Sequence, residues 1–357
     1  MKEDIPYDNW FQIIFGVKES KTNVYNHITC EENEGNSIIV CKNSGNKYNA
    51  GQFMVRNISS FNLSPRGNGK LFIIAGNGRA SKKFELIDVT INQSLPENDG
   101  ATYLAASNYN CLEFVNNYQT ASHGISGYVY DPTQGPFCAI AAPQSILYRN
   151  YFVNVNGKIG QIETEINLLE NTPVEVDHGY AIITRSDEEK LKKSSFDWKD
   201  LNNYKVGVHR NCQLLLTKAK VPRFLSLIQD PNRIVHHVYS AAFNFNGSVH
   251  ESPFTREIRD QIIEASYRCA ILSAWENSIE YPNRAGSNKL YLTLLGCGVF
   301  GNSVEDVARI ISKCTDLIID SGLDVYVVCF TDNTTREAFP ILNSSIVRTG
   351  GSIISTD

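Results

Sequence analysis

Residues 290–311 read LYLTLLGCGVFGNSVEDVARII. An apolar run of strand length comes first. Gly296, Gly298 and Gly301 then interrupt it, and Ser303 opens a helix with Asp306 three residues on, in a capping-box position. The flanking sequence extends the pattern: 234–243 reads as a strand, 255–275 as a long helix, 303–321 as a second helix, 324–330 as another apolar strand and 333–342 as a third helix. Strands and helices alternating at this spacing predict an α/β fold, with a parallel or mixed sheet covered by helices.

Upstream, 101–106 predicts a strand and 136–148 a helix with proline in its first turn. The first hundred residues are rich in Asn, Ser and Gly and carry short β-like runs at 37–41, 71–75 and 86–91, separated by turn signals at 34–36, 66–69 and 76–78. The charged stretch SDEEKLKKSSFDWKDLNN (186–203) reads as a solvated helix and loop and is the best linker candidate.

At 357 residues the chain suits one enzyme-sized domain or two ordinary ones. Hydrophobic residues make up 42% and charged residues 20%, which excludes a disordered, collagenous or coiled-coil protein. Net charge is −5, with no basic block beyond pairs such as Lys82-Lys83 and Lys192-Lys193, so no nucleic-acid partner is expected. No apolar run of membrane-spanning length appears, and the start MKEDIPYDNWFQIIF lacks the apolar core of a signal peptide, so neither a membrane nor a secretory route is expected. The nine cysteines form no C-x-x-C pair and sit mostly in apolar runs, as reduced thiols in a cytoplasmic protein would; no metal site is expected.

Three stretches concentrate chemistry. In 290–311, glycines let backbone N–H groups approach an anion at the start of a helix, although the same glycines also serve a bare strand-helix corner. The spacing is G-x-G-x-x-G, yet it lies late in the chain, and Asp320 and Asp324 fall at a helix end, which disfavours a dinucleotide oxidoreductase. In ATYLAASNYNCLEF (101–114) an apolar strand empties into Ser107, Asn108, Asn110 and Glu113, side chains able to grip a sugar. In ISGYVYDPTQGPFCAIAAPQSILYRNYF (125–152) an acidic turn leads into an apolar helix ending in Arg149, and Asp131 also fits as a plain turn cap before Pro132. His123 reads as a solvated loop residue, His236 and His237 point to opposite faces of one strand, and Cys297 needs only to be small.

These segments, with WFQIIFGVKE (10–19), YKVGVHRNCQL (204–214) and HHVYSAAFNF (236–245), resemble the macrodomain superfamily. Within it the chain looks similar to the branch typified by the ADP-ribosyl-ubiquitin hydrolase MavL, and distantly similar to poly(ADP-ribose) glycohydrolases. The resemblance implies a macrodomain-like mixed sheet flanked by helices, with an N-terminal extension. It implies one enlarged domain over 1–357, with 1–100 as elaboration and 101–357 as core.

It further implies ADP-ribose binding, with the diphosphate on Gly296, Cys297, Gly298, Val299, Phe300, Gly301 and Asn302. Asn110 would hold the proximal ribose beside Asn108, with Glu113 and Asp131 near its reacting carbon. Thr133 and Gln134 would face the diphosphate from the other side, Phe330 the adenosine, and Phe15 and Glu19 the adenine. The implied activity is removal of mono-ADP-ribose from a protein side chain, arginine foremost, with an ADP-ribosylated protein such as ubiquitin as partner and no cofactor. The loop 115–122 carries no acid, whereas the resemblance leads one to expect carboxylates around the scissile bond. A non-catalytic ADP-ribose reader is the competing reading.

Overall fold

A computed structural model describes residues 4–357; Met1, Lys2 and Glu3, which begin the opening segment weighed as a leader, lie outside the described residues. Ten strands form one mixed sheet. In chain order they are β1 (Ile28–Asn33), β2 (Asn36–Cys41), β3 (Lys47–Arg56), β4 (Lys70–Ala75), β5 (Thr102–Ala106), β6 (Val206–Gln213), β7 (Ile234–Ser240), β8 (Lys289–Thr293), β9 (Asp324–Cys329) and β10 (Ile353–Ser355). Across the sheet the order is β10-β4-β9-β8-β5-β7-β6-β3-β2-β1. Pairing is parallel from β10 to β7 and antiparallel from β7 to β1. The expected mixed sheet flanked by helices is therefore present; strands from before residue 100 form its antiparallel end, and a further one, β4, lies in the parallel part between β10 and β9.

The parallel strands are covered on both faces, which is why they read as nearly unbroken apolar runs. On one face Leu104, Leu290, Leu292, Val325 and Val327 pack beneath the helices Pro253–Glu280, Val304–Ser312 and Asp332–Thr349. On the other, Tyr103, Tyr291, Tyr326 and Phe72 are register partners on four neighbouring strands. Their rings stack at centroid spacings of 4.7, 4.9 and 5.0 Å. Each such pair adds about 0.5–1.5 kcal/mol beyond its buried area. The helices Val89–Ser94, Gln134–Ala139 and Pro143–Tyr151 lie on this second face.

Three expectations are overridden: the helix expected over 303–321 is two, Val304–Ser312 and Thr315–Ser321, and local chemistry overrides two others. The β-like run at 86–91 is instead a helix start, because Asp88 Oδ1 accepts from the Thr90 and Ile91 amides at 3.2 and 3.1 Å. The helix expected over 136–148 is two, since Pro143 has no N–H to continue the first and holds Ala142 out of helical geometry. No helix among the described residues is long and apolar enough to cross a membrane.

Candidate active site

The carboxyl ends of β4, β9, β8, β5 and β7 open on one edge of the sheet. In open α/β sheets ligands bind at this edge, where the connections change direction. Strands β8 and β5 are neighbours, so the glycine turn after β8 and segment 107–114 after β5 leave side by side.

Gly296 and Gly301 hold φ of +75° and +71°, and a Cβ on them would strike Ala242 Cβ at 2.6 Å and Asn246 Oδ1 at 2.7 Å. Asn302, buried, staples the turn: Nδ2 donates to the Phe243 and Gly296 carbonyls at 2.9 and 3.1 Å, and Oδ1 accepts from Arg259 Nη1 at 2.9 Å. The amides of Cys297, Gly301 and Asn302 bond within the turn, whereas those of Gly298, Val299 and Phe300 have no acceptor among the described residues. Behind them Ser303 Oγ accepts from the Asp306 amide at 3.2 Å and caps the helix Val304–Ser312. Free N–H groups ahead of a helix N-terminus suit an anion. Burial pushes the Cys297 thiol up to about 12, so it is no thiolate nucleophile.

The segment carrying Asp131 is fastened from behind. Glu19 accepts from the Ile125 and Ser126 amides, both at 2.7 Å, from the Ser126 hydroxyl, and from Tyr151 OH at 3.0 Å. These contacts start the turn Ser126–Tyr130, which delivers Asp131 at its end, where Oδ1 accepts from the Thr133 amide at 2.9 Å. Oδ2 makes no hydrogen bond among the described residues. Gly135 brings the next helix against β5; a Cβ there would lie 1.7 Å from the Ala106 carbonyl oxygen and 3.3 Å from Glu113 Cγ.

Glu113 lies beneath this contact. Its Oε2 faces Arg149 Nη2 at 3.1 Å and its Oε1 accepts from Ser107 Oγ at 2.7 Å. Arg149 also donates to the Cys111 carbonyl and to Tyr239 OH, both at 2.8 Å, with its guanidinium 3.8 Å from the Tyr239 ring centroid. Burial lifts the Glu113 carboxyl above its ordinary range, against the pull of Arg149 and Ser107.

A second acidic group arrives from a stretch with no motif. Glu165 Oε2 accepts from Asn110 Nδ2 at 3.1 Å, and Glu165 Oε1 meets His178 Nδ1 at 2.9 Å. Asp177 Oδ2 accepts from Asn117 Nδ2 at 2.8 Å. A hairpin of Glu175–Asp177 and Tyr180–Ile182 carries Asp177 and His178, and it presses on segment 107–114 so closely that a Cβ on Gly179 would lie 2.5 Å from Asn110 Oδ1. The hydrogen bond His178 donates to the Glu165 carboxylate raises the His178 pKa above its ordinary value. Tyr180 joins hairpin to glycine turn, its ring centroid 5.8 Å from that of Phe300. Asp177 thus supplies an acid beside the loop 115–122, which has none, and Glu165 supplies one beside Asn110.

A cleft of about 290 Å³ runs from Thr293, at the end of β8, past Thr133 and Phe330 to Arg79 and Lys218. Tyr103 and Tyr291 line its apolar wall, and Phe330, 45% exposed, stands edge-on to Phe84 at 6.3 Å. Asp88 Oδ2 in the same cleft accepts from Lys218 Nζ at 2.6 Å.

Several residues expected to touch ligand have other tasks. Phe15 is fully buried among Trp10, Phe11 and Tyr48, leaving no ring face for a base. Glu19 turns both oxygens inward to hold the Asp131 segment. Asn110 and Glu113 are buried with their polar groups paired, and Asn108 donates to the Phe114 carbonyl at 2.8 Å. Strand β8 pairs with β5 only through Leu290 and Tyr291. Beyond that point the Gln134 carboxamide fills the ladder, accepting from the Ala106 amide at 2.8 Å and donating to the Leu104 carbonyl at 3.0 Å. Gln134 is therefore a structural clamp, and Asn302 a staple within its turn. Asp131, Thr133, Gly298, Val299, Phe300 and Phe330 remain accessible at the edge.

No protein-family model matches the sequence, and no curated protein matches it. Among solved structures the chain is similar to poly(ADP-ribose) glycohydrolase from Thermomonospora curvata, at 11% identity over 92% of this chain and 95% of that one, with a TM-score of 0.40. It is similar to the Deinococcus radiodurans poly(ADP-ribose) glycohydrolase in complex with ADP-ribose, at 12% identity over 79% and 87%, TM-score 0.40. An Oceanobacillus iheyensis macrodomain mutant aligns at 15% identity over 34% and 54%, TM-score 0.25. Likeness at this distance assigns no activity to the chain.

Proposed function

We propose that this protein binds ADP-ribose and hydrolyses its glycosidic bond to a protein side chain, arginine foremost. The observation that carries the reading is the pairing, on adjacent strand ends, of the unbonded Gly298–Phe300 amides with the apolar-walled cleft past Thr293. The turn suits a diphosphate, and the cleft suits a nucleoside with Phe330 at its mouth. Beside the cleft, next to Pro132 and Thr133 of its lining, Asp131 offers a carboxylate with one free oxygen for water. Water adds to the anomeric carbon as the bond to the side-chain nitrogen breaks, and the positive charge that develops on the sugar is stabilised by the nearby acids. Glu165 and Asp177 would orient a leaving guanidinium by charge-assisted hydrogen bonds. The macrodomain resemblance of the sequence supports the same reading.

The test is release of ADP-ribose from an arginine-ADP-ribosylated protein such as ubiquitin. Folded protein that frees nothing from any linkage sinks the enzyme claim. One observation favours a non-catalytic reader: Glu113 is neutralised by Arg149 in the interior, which leaves fewer free carboxylates than a paired-acid mechanism uses. Tight ADP-ribose binding unchanged by Asp131→Ala, with no turnover before or after, identifies the reader.

A further inference from the structure

The cleft does not end at Arg79 and Lys218. Both residues also line a second, wider trough of about 710 Å³ that continues outward past Tyr130 to Lys220 and Arg223. The two share Phe84, Pro132 and Phe137 as a common wall. Cleft and trough are continuous, and the glycine turn follows Thr293 of the cleft wall along the chain; a nucleoside lying in the cleft with its diphosphate on the turn would have the trough open to a further substituent.

The trough is basic in a chain of net charge −5. Among the described residues, Arg79, Lys218, Lys220 and Arg223 meet two carboxylates, Asp88 at 2.6 Å from Lys218 Nζ and Asp8 at 3.8 Å from Arg223 Nη2. Arg79 and Lys220 have no acidic partner among the described residues. Arg223 follows Pro222 with a φ of +63°, the turn position that glycine or asparagine fills at rest. The hairpin holds it there, with the Tyr7 amide donating to the Arg223 carbonyl and the Ala219 amide to the Phe224 carbonyl, both at 3.1 Å. The strained residue is the one whose guanidinium stands 5.7 Å from the Tyr130 ring centroid, over the trough.

We propose that this trough is a subsite for a second phosphate-bearing group attached to the nucleoside end of an ADP-ribose ligand. The assignment rests on the ADP-ribose reading of the main site. Arginine and lysine beside exposed aromatic rings recognise phosphate and its attached nucleoside together. The group arises from a monophosphate on the adenosine ribose or from the diphosphate of a further ADP-ribose unit.

Calorimetry with ADP-ribose, its 2′-phosphate and an ADP-ribose dimer tests the assignment. At least one extended ligand should bind about fivefold or more tighter than ADP-ribose, a gain that falls as salt rises. Gain with the 2′-phosphate points to a terminal phosphate; gain with the dimer alone points to a chain. The double variant Lys220→Gln/Arg223→Gly, whose glycine relaxes the turn, should lose the gain while keeping wild-type affinity for ADP-ribose and wild-type melting temperature. ADP-ribose binding without gain, or a gain that survives in the variant, overturns the subsite and leaves the main reading standing. No binding of ADP-ribose overturns both.

Discussion

Arg149 Nη2 lies 3.1 Å from Glu113 Oε2, and neither side chain has any exposed surface. The pair ties the helix Pro143–Tyr151 to the segment leaving β5, and through Tyr239 to β7. Removing one partner strands a charge in the interior. Arg149→Met should therefore lower stability by about 3–5 kcal/mol, and the double variant Arg149→Met/Glu113→Gln should recover part of it. Urea midpoints decide; a single variant as stable as wild type contradicts the pairing.

Asp131 is the accessible carboxylate beside the cleft. Asp131→Asn keeps the hydrogen bond from the Thr133 amide but cannot take a proton from water. Hydrolysis should fall by about 10²-fold or more while ADP-ribose affinity is retained. Equal loss of affinity in calorimetry would place Asp131 in binding instead.

Two glycines of one turn separate backbone strain from anion access. A Cβ at Gly298 meets nothing within 4 Å, whereas Gly301 has φ +71° and Asn246 Oδ1 at 2.7 Å. Gly301→Ala should cost about 1–2 kcal/mol in left-handed strain, plus the displacement of Asn246, and weaken ADP-ribose binding. Gly298→Ala should melt as wild type does. Reversed melting temperatures would mean the turn adopts another shape.

Three buried histidines set the acid limb of stability. Burial lowers His236 and His237 to about 3, and His209 well below its ordinary value. Their folded pKa values lie beneath the unfolded ones, so the unfolded chain binds more protons at mild acidity. Their contribution is complete above about pH 6.5 and is lost as pH falls, at about 2 kcal/mol each for His236 and His237 by pH 5, with His209 acting in the same direction. Chemical denaturation from pH 7.5 to 5 should show that decline; a flat profile would show the histidines protonated in the fold.

The parallel half of the sheet was legible because both faces of its strands are covered. LYLTLL, DVYVVC and KLFIIA stand out as apolar runs, and the Ser303 cap marks its helix from local residues alone. Strands β3 and β6 mix polar and apolar residues and gave no such signal; they pair through register with neighbours far along the chain, Val206 with Arg56 and Gly207 with Tyr239.

The site divides in the same way. Backbone chemistry that one stretch carries entire, the glycine turn and the turn at Asp131, was fixed by the sequence itself, because φ preferences and caps act over a few residues. Which polar side chains face a ligand was decided only by the tertiary structure. Glu113, Asn110, Gln134 and Phe15 sit in stretches that suggest contact, and each is turned inward by a partner distant in sequence or by core packing. Glu165, Asp177 and His178 carry no local pattern, yet Glu165 reaches Asn110 and the hairpin brings His178 to Glu165 and Asp177 to Asn117. Burial and charge pairing are properties of the assembled core, where removal of water makes each partner's position decisive.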